Sequence, residues 1–153
     1  MLTRAVIRSI HLAAGLVGLA TILAFWSVTV ATELAGDHAM IAAAKHGILW
    51  GMVVLVPAMA AVGGTGFNLG GRSTAPVVAA KRRRMRVIAL NGLLILVPSA
   101  FFLAGRAPTG NFDPAFVLVQ AVELTAGAVN IALMGLNLRD GLRLTAKRRR
   151  AAA

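Results

Sequence analysis

The sequence predicts an all-α protein, a four-helix transmembrane bundle, and three observations predict it. The first is composition: 58% of the 153 residues are hydrophobic, mean hydropathy is +0.79 and only 14% are charged. Soluble domains carry a charged fraction of about a quarter. The second is the presence of four apolar runs, each long enough to cross a ~30 Å hydrocarbon core at 1.5 Å per residue. The third is charge placement. The N-terminus, the connection between the second and third runs, and the C-terminal tail together hold 14 of the 16 Lys and Arg residues. That asymmetry predicts an N-in, C-in topology, with both termini cytoplasmic.

The spans fall at about 7–31, 40–62, 87–105 and 115–138, and residues 1–153 form a single transmembrane domain. Arg4 and Arg8 precede the first run, Ser9–Ala31. It exceeds the apolar core of about 7–15 residues found in a signal peptide, so it is expected to remain as a helix. Glu33, Gly36, Asp37 and His38 make a polar turn. The second span begins near Met40, holds Lys45, His46 and Pro57, and is expected to break at Gly63, Gly64 and Gly66. The longest connection, Phe67–Arg86, contains Arg72 and the Lys81–Arg84 cluster. The third span starts at Val87 and carries Asn91 and Pro98. A Gly/Pro/Asn/Asp turn then leads to the fourth span and a basic tail.

The net charge of +11 raises nucleic acid as a partner. Both basic clusters, Lys81–Arg84 and Lys147–Arg150, instead adjoin apolar segments, where cytoplasmic retention explains them. The partner implied is the lipid bilayer of a bacterial-type inner membrane, with a homodimer expected through small-residue faces. Cysteine and tyrosine are absent, which excludes disulfides, thiolate metal sites and phenolic radicals. Gly63-Gly64-Thr65-Gly66 follows a span and lacks the lysine of a phosphate-cradling loop. No hydrolytic triad and no intramembrane aspartate pair is present.

Within the fourth span, Gln120, Glu123, Gly127, Asn130, Met134 and Asn137 recur at steps of three or four. On a helix they share one face. Lipid cannot satisfy such groups, so the stripe turns inward, and an ionisable residue at that depth marks a functional site. Depth counting gives two polar layers. One, on the cytoplasmic side, sets His11 and Asn91 against Asn130 and Met134. The other sets His46 against Gln120 and Glu123. Glu123 has two candidate partners: the His46 imidazole, which it would orient as a ligand, or Lys45 in a buried ion pair. A proton-relay role for Glu123 is a third reading.

His11 and His46 are the candidate metal ligands, since a buried imidazole is the commonest redox-cofactor ligand that a cysteine-free span offers; the alternative is a histidine hydrogen-bonded to a neighbouring helix for packing. Their separation along the bundle comes to about 8 Å if helix one starts near Leu2, and about 15–17 Å if Arg8 marks the boundary. Only the shorter value allows one haem between them. Gly15 and Gly18 share the His11 face, which suits either helix packing or a flat macrocycle. Met59 and Met134 are expected as packing residues, with Met134 the alternative cofactor contact, and Glu123, Gln120, Asn91 and Asn130 would surround the cofactor behind the histidines. Arg8 and Arg86 are placed to meet propionates.

The stretches IRSIHLAAGLVGLATILAFW and RMRVIALNGLLILVPSAFFLAGRA resemble small four-helix membrane proteins of the copper-resistance D and HemJ-type kind. The resemblance implies a haem-associated His11 and a pocket residue at Asn91. Gly92 and Leu93 stand where the HemJ-type pattern has an acidic residue and proline, and Arg106 stands near its distal lysine. It therefore implies haem binding rather than the oxidase reaction. The expectation is a b-type haem membrane protein, with haem b as cofactor, working in electron transfer or membrane redox chemistry with a quinone or redox partner. The alternative is a non-enzymatic scaffold or a small proton or solute transport subunit that uses the polar stripe.

Overall fold

A chain this apolar forms helices because backbone groups in lipid have no water to bond, and the helix satisfies them within each segment. The computed structural model describes residues 3–71 and 73–150, with side chains described as far as residue 146. Met1, Leu2, Arg72 and the side chains of the Lys147–Arg150 run lie outside the described residues. The protein is all-α, with four long helices packed as a bundle. All four are long and apolar enough to cross a membrane.

Helix α1 spans Arg4–Ala35. Thr3 caps it by accepting from the Val6 N–H, and Gly36 ends it at φ 68°, a left-handed conformation that glycine adopts without a steric penalty. Asp37 caps α2, His38–Gly70, by accepting from the N–H groups of Ala39 and Met40. The expected break at Gly63, Gly64 and Gly66 does not occur; α2 runs through all three. Glycine lowers helix propensity by only about 1 kcal/mol each, less than the penalty for exposing backbone amides to lipid.

The long connection expected at Phe67–Arg86 is likewise mostly helical. Helix α3, Pro76–Asn91, starts at a proline suited to the first turn, so the Lys81–Arg84 cluster lies on a helix rather than in a loop. A π turn, Gly92–Leu96, joins it to α4, Val97–Arg106. Pro98 explains the turn: it has no N–H, and its ring displaces the carbonyl four residues earlier. A short 3-10 turn, Ala107–Thr109, follows. Helix α5, Pro114–Arg150, is opened by Asp113, which accepts from the Phe116 N–H at 2.9 Å.

Helix α5 is the hub, packing against α1, α3 and α4, while α1 and α2 form a close antiparallel pair. His11 lies opposite Thr65 and Phe25 opposite Gly51, the same antiparallel register at both ends. Two apolar clusters fill the interior. Ile41, Leu103, Ala107 and Phe116 pack near the Asp113 end. Ile22, Ile88 and Met134 pack toward the basic end, with Met59 and Leu55 against them.

Candidate functional site

The polar stripe faces inward as expected, and its members find partners in three layers rather than two. Nearest the Asp113 end, Lys45 Nζ lies 2.7 Å from Glu123 Oε2, with the lysine only 1% exposed. Gln120 donates from Nε2 to the same carboxylate oxygen at 3.1 Å. Gln120 Oε1 is buried without a partner among the described residues, as is Glu33 Oε1. Glu33, from α1, lies within electrostatic range of Lys45, Glu123 and His38. The buried Lys45 ammonium is thus bonded to one carboxylate, Glu123, and has a second, part-buried carboxyl group, Glu33, within its field.

The middle layer is neutral. Asn91 Nδ2 donates to Asn130 Oδ1 and to the Ala126 carbonyl, both at 2.9 Å. Asn130, 1% exposed, donates in turn to the Ile88 carbonyl at 3.4 Å. The third layer, at the basic end, is charged. Arg84 pairs with Asp140 at 2.6 Å and donates to Asn137 Oδ1. Lys81 Nζ donates to the Asn137 carbonyl oxygen at 3.1 Å. A loop at Lys81–Arg84 has no helical phase; on α3 the three-residue spacing turns residues 81 and 84 together toward α5.

His46 does not meet Glu123. It is exposed on the outer face of α2, where its Nε2 accepts from the Trp50 indole N–H at 3.0 Å. Lys45, its neighbour in sequence, takes the inward position. Successive residues on a helix point about 100° apart, so only one of the two can face α5. Of the two candidate partners for Glu123, the structure selects the lysine.

His11 does not lie in a layer with Asn130 and Met134 either. Its Nδ1 is 2.9 Å from the Thr65 hydroxyl, and that hydroxyl donates to the Ala61 carbonyl. The ring therefore donates from Nδ1, which leaves Nε2 bare. Gly66 makes room for it: a Cβ there would lie 3.1 Å from His11 Cε1. Met134 and Met59 instead meet at Gly18, where a Cβ would stand 3.1 Å from Met59 Sδ and 3.6 Å from Met134 Cε. The space beside Gly18 that suited a flat macrocycle holds two thioether side chains.

The α1–α2 register decides the haem geometry left open by depth counting. His11 is level with Thr65, and nineteen residues of α2 separate Thr65 from His46. At 1.5 Å per residue the histidines lie roughly 28 Å apart along the bundle. One haem cannot be held between them, so the residues present do not fit a bis-histidine site. Arg8 and Arg86 are both exposed. Among the described residues no group of three or more His, Asp or Glu side chains is arranged to hold a metal ion.

Other contacts explain stripe residues with no chemical role. Trp26 of α1 donates from its indole to the Leu124 carbonyl at 3.0 Å and lies against Gly127, where a Cβ would fall 3.1 Å from the ring. Gly127 is thus the notch into which Trp26 docks. Arg106, read as a distal basic residue, pairs with Asp113 and lies 4.5 Å from the centre of the Phe102 ring. The backbone N–H of Phe116, followed by the Arg106 guanidinium, holds the Asp113 carboxyl below its ordinary value.

No family model, no curated protein and no solved structure matches this chain. The chemistry of the three layers carries the functional reading.

Proposed function

We propose that this chain is a small multi-pass protein of a bacterial-type inner membrane, with both termini cytoplasmic, that works without catalysis as a proton-binding transport subunit. The observation that carries the reading is the Lys45–Glu123 pair, 2.7 Å apart and with the lysine 1% exposed, bonded by Gln120 and within the field of Glu33. Here one ammonium faces two carboxyl groups, and a proton or small cation neutralises the surplus. The Ile41–Leu103–Phe116 cluster covers the site on one side and the Ile22–Ile88–Met134 cluster on the other. A buried ion pair flanked by apolar clusters, with the part-buried Glu33 beside it, suits a proton site that opens toward one face.

The test is reconstitution in liposomes carrying an internal pH dye. A pH gradient should relax faster with the protein than without it, and Glu123→Gln should abolish the difference. Gradients that relax at the protein-free rate with the wild-type chain would exclude the proposal.

A second reading, haem b ligated by His11 alone and used in electron transfer with a quinone or redox partner, draws support from one observation. Thr65 fixes the ring through Nδ1 and leaves Nε2 as a ligand atom. Protein purified in detergent would then be red, with a Soret band that His11→Ala bleaches and His46→Ala leaves intact. A colourless preparation without a pyridine haemochrome signal excludes it.

A further inference from the structure

The third membrane helix carries a feature that the proton site does not use. Between α3 and α5 runs an apolar groove of about 640 Å³, lined on one wall by Val87, Leu90 and Leu94 and on the other by Ala121, Thr125 and Val129. Its walls are open to the surroundings, with Leu90 59% and Leu94 70% exposed. Small residues on the α5 side give it depth. At the floor, the Asn91 amide is bonded to the Ala126 carbonyl, so the polar group there already has its partner. The groove ends along the π turn Gly92–Leu96. From Val87 to Ile95 it is about 12 Å long at 1.5 Å per residue.

What stands at its mouth identifies the occupant. Arg83 is four residues before Val87 and seven before Leu90, and Arg86 is four before Leu90. Those spacings put Arg83 one turn beyond the groove's upper end and Arg86 at its edge beside Leu90. The rest of the cluster is engaged: Lys81 on Asn137, Arg82 on the Ser73 carbonyl and Arg84 on Asp140. Arg83 and Arg86 are exposed and make no hydrogen bond or ion pair with any described residue. Arg86 and Arg106 also bracket nineteen uncharged residues, about 28 Å of helix, which matches the hydrocarbon core. The two arginines therefore lie at headgroup depth, with the groove directly beneath them inside the hydrocarbon.

We infer that the α3–α5 groove is a binding site for one anionic phospholipid, its phosphate on Arg83 and Arg86 and an acyl chain lying along Leu90 and Leu94. Two guanidinium groups complement a phosphate headgroup bearing net negative charge and not a zwitterionic one. Seating a chain in the groove adds contact that headgroup attraction alone lacks.

The full-length protein, purified in detergent, is incubated with equal amounts of phosphatidylglycerol and phosphatidylcholine of identical acyl chains, and bound lipid is counted by native mass spectrometry. Wild-type protein should retain phosphatidylglycerol in preference by roughly thirty-fold, two surface basic contacts acting together. The double variant R83Q/R86Q should bring the ratio near one. Ala121→Phe and Thr125→Phe, both at exposed positions, fill the groove and should each lower total retention. The distant pair R4Q/R8Q should change neither quantity, and excess inorganic phosphate should not displace the lipid. Any of four results would overturn the inference. These are equal retention of the two lipids by wild type, an R4Q/R8Q loss matching that of R83Q/R86Q, unchanged retention in both phenylalanine variants, or displacement by phosphate. Efficient disulfide cross-linking of L94C between copies in liposomes would also overturn it, because a second chain would then cover the groove.

Discussion

Lys45→Met tests whether the membrane-embedded ion pair is what joins α2 to α5. Methionine keeps the length of the side chain and removes only the charge. Lys45 is 1% exposed and Glu123 12%, so little of the carboxylate is open to solvation once the ammonium is lost. Gln120 supplies a single neutral hydrogen bond, which is weaker than the charge-assisted contact it would stand in for. Removing one partner of a buried pair typically costs about 3–5 kcal/mol, because the other charge stays buried and uncompensated. At about 1.4 kcal/mol per factor of ten, that is a loss of two to three and a half orders of magnitude in the folding constant. Glu123→Gln in the same chain removes the stranded charge, so the double variant K45M/E123Q should recover at least half of the loss. The assay is equilibrium unfolding in mixed micelles, followed by far-UV circular dichroism as the fraction of denaturing detergent rises. A Lys45→Met protein within about 1 kcal/mol of wild type would refute the reasoning, as would a double variant no more stable than the single.

Three other outcomes follow from individual contacts. Asn130→Leu breaks the Asn91 bond and should cost about 0.6–2 kcal/mol, the range for interhelical hydrogen bonds in membranes. Asn91→Leu in that background should add little, as a double-mutant cycle in the same micelles would measure. Gly51→Leu should destabilise the α1–α2 pair by about 1–3 kcal/mol, since even a Cβ there would fall on the Phe25 ring; unchanged stability would show that the ring swings freely into lipid. Asp113 gives a pH dependence with a definite sign. Its folded carboxyl is held below the ordinary value by the Phe116 N–H and Arg106, so the cap is complete above the unfolded-state value and is lost as pH falls through the lower, folded one. Amide exchange at Phe116 and Val117, corrected for its intrinsic pH dependence, should show reduced protection only at strongly acidic pH, and Asp113→Asn should flatten that response.

Span number, helical character and the inward stripe could be read from the sequence because each depends on local quantities. Hydropathy over about twenty residues and a three-to-four repeat suffice. Helix ends were less legible. Gly63, Gly64 and Gly66 look like breakers in water, yet α2 passes through them because lipid penalises an open backbone more than it penalises a glycine. The basic run at Lys81 looks like a boundary in the sequence because charge leaves the hydrocarbon, yet two of its residues are bonded to α5 from a helix.

The amino-acid sequence by itself determined that four apolar helices would form and that Gln120, Glu123, Asn130 and Asn137 would need polar partners. Those requirements follow from composition, periodicity and the inability of lipid to bond them. Only the tertiary structure decided who the partners are. Lys45 and His46 are adjacent, and either suits a carboxylate; which one faces Glu123 depends on the rotation of α2 about its own axis. That rotation is set by contacts far along the chain, among them Phe25 on Gly51 and His11 on Thr65. The same register separates the two histidines by roughly 28 Å, a distance no sequence pattern contains because it is a property of two helices packed together.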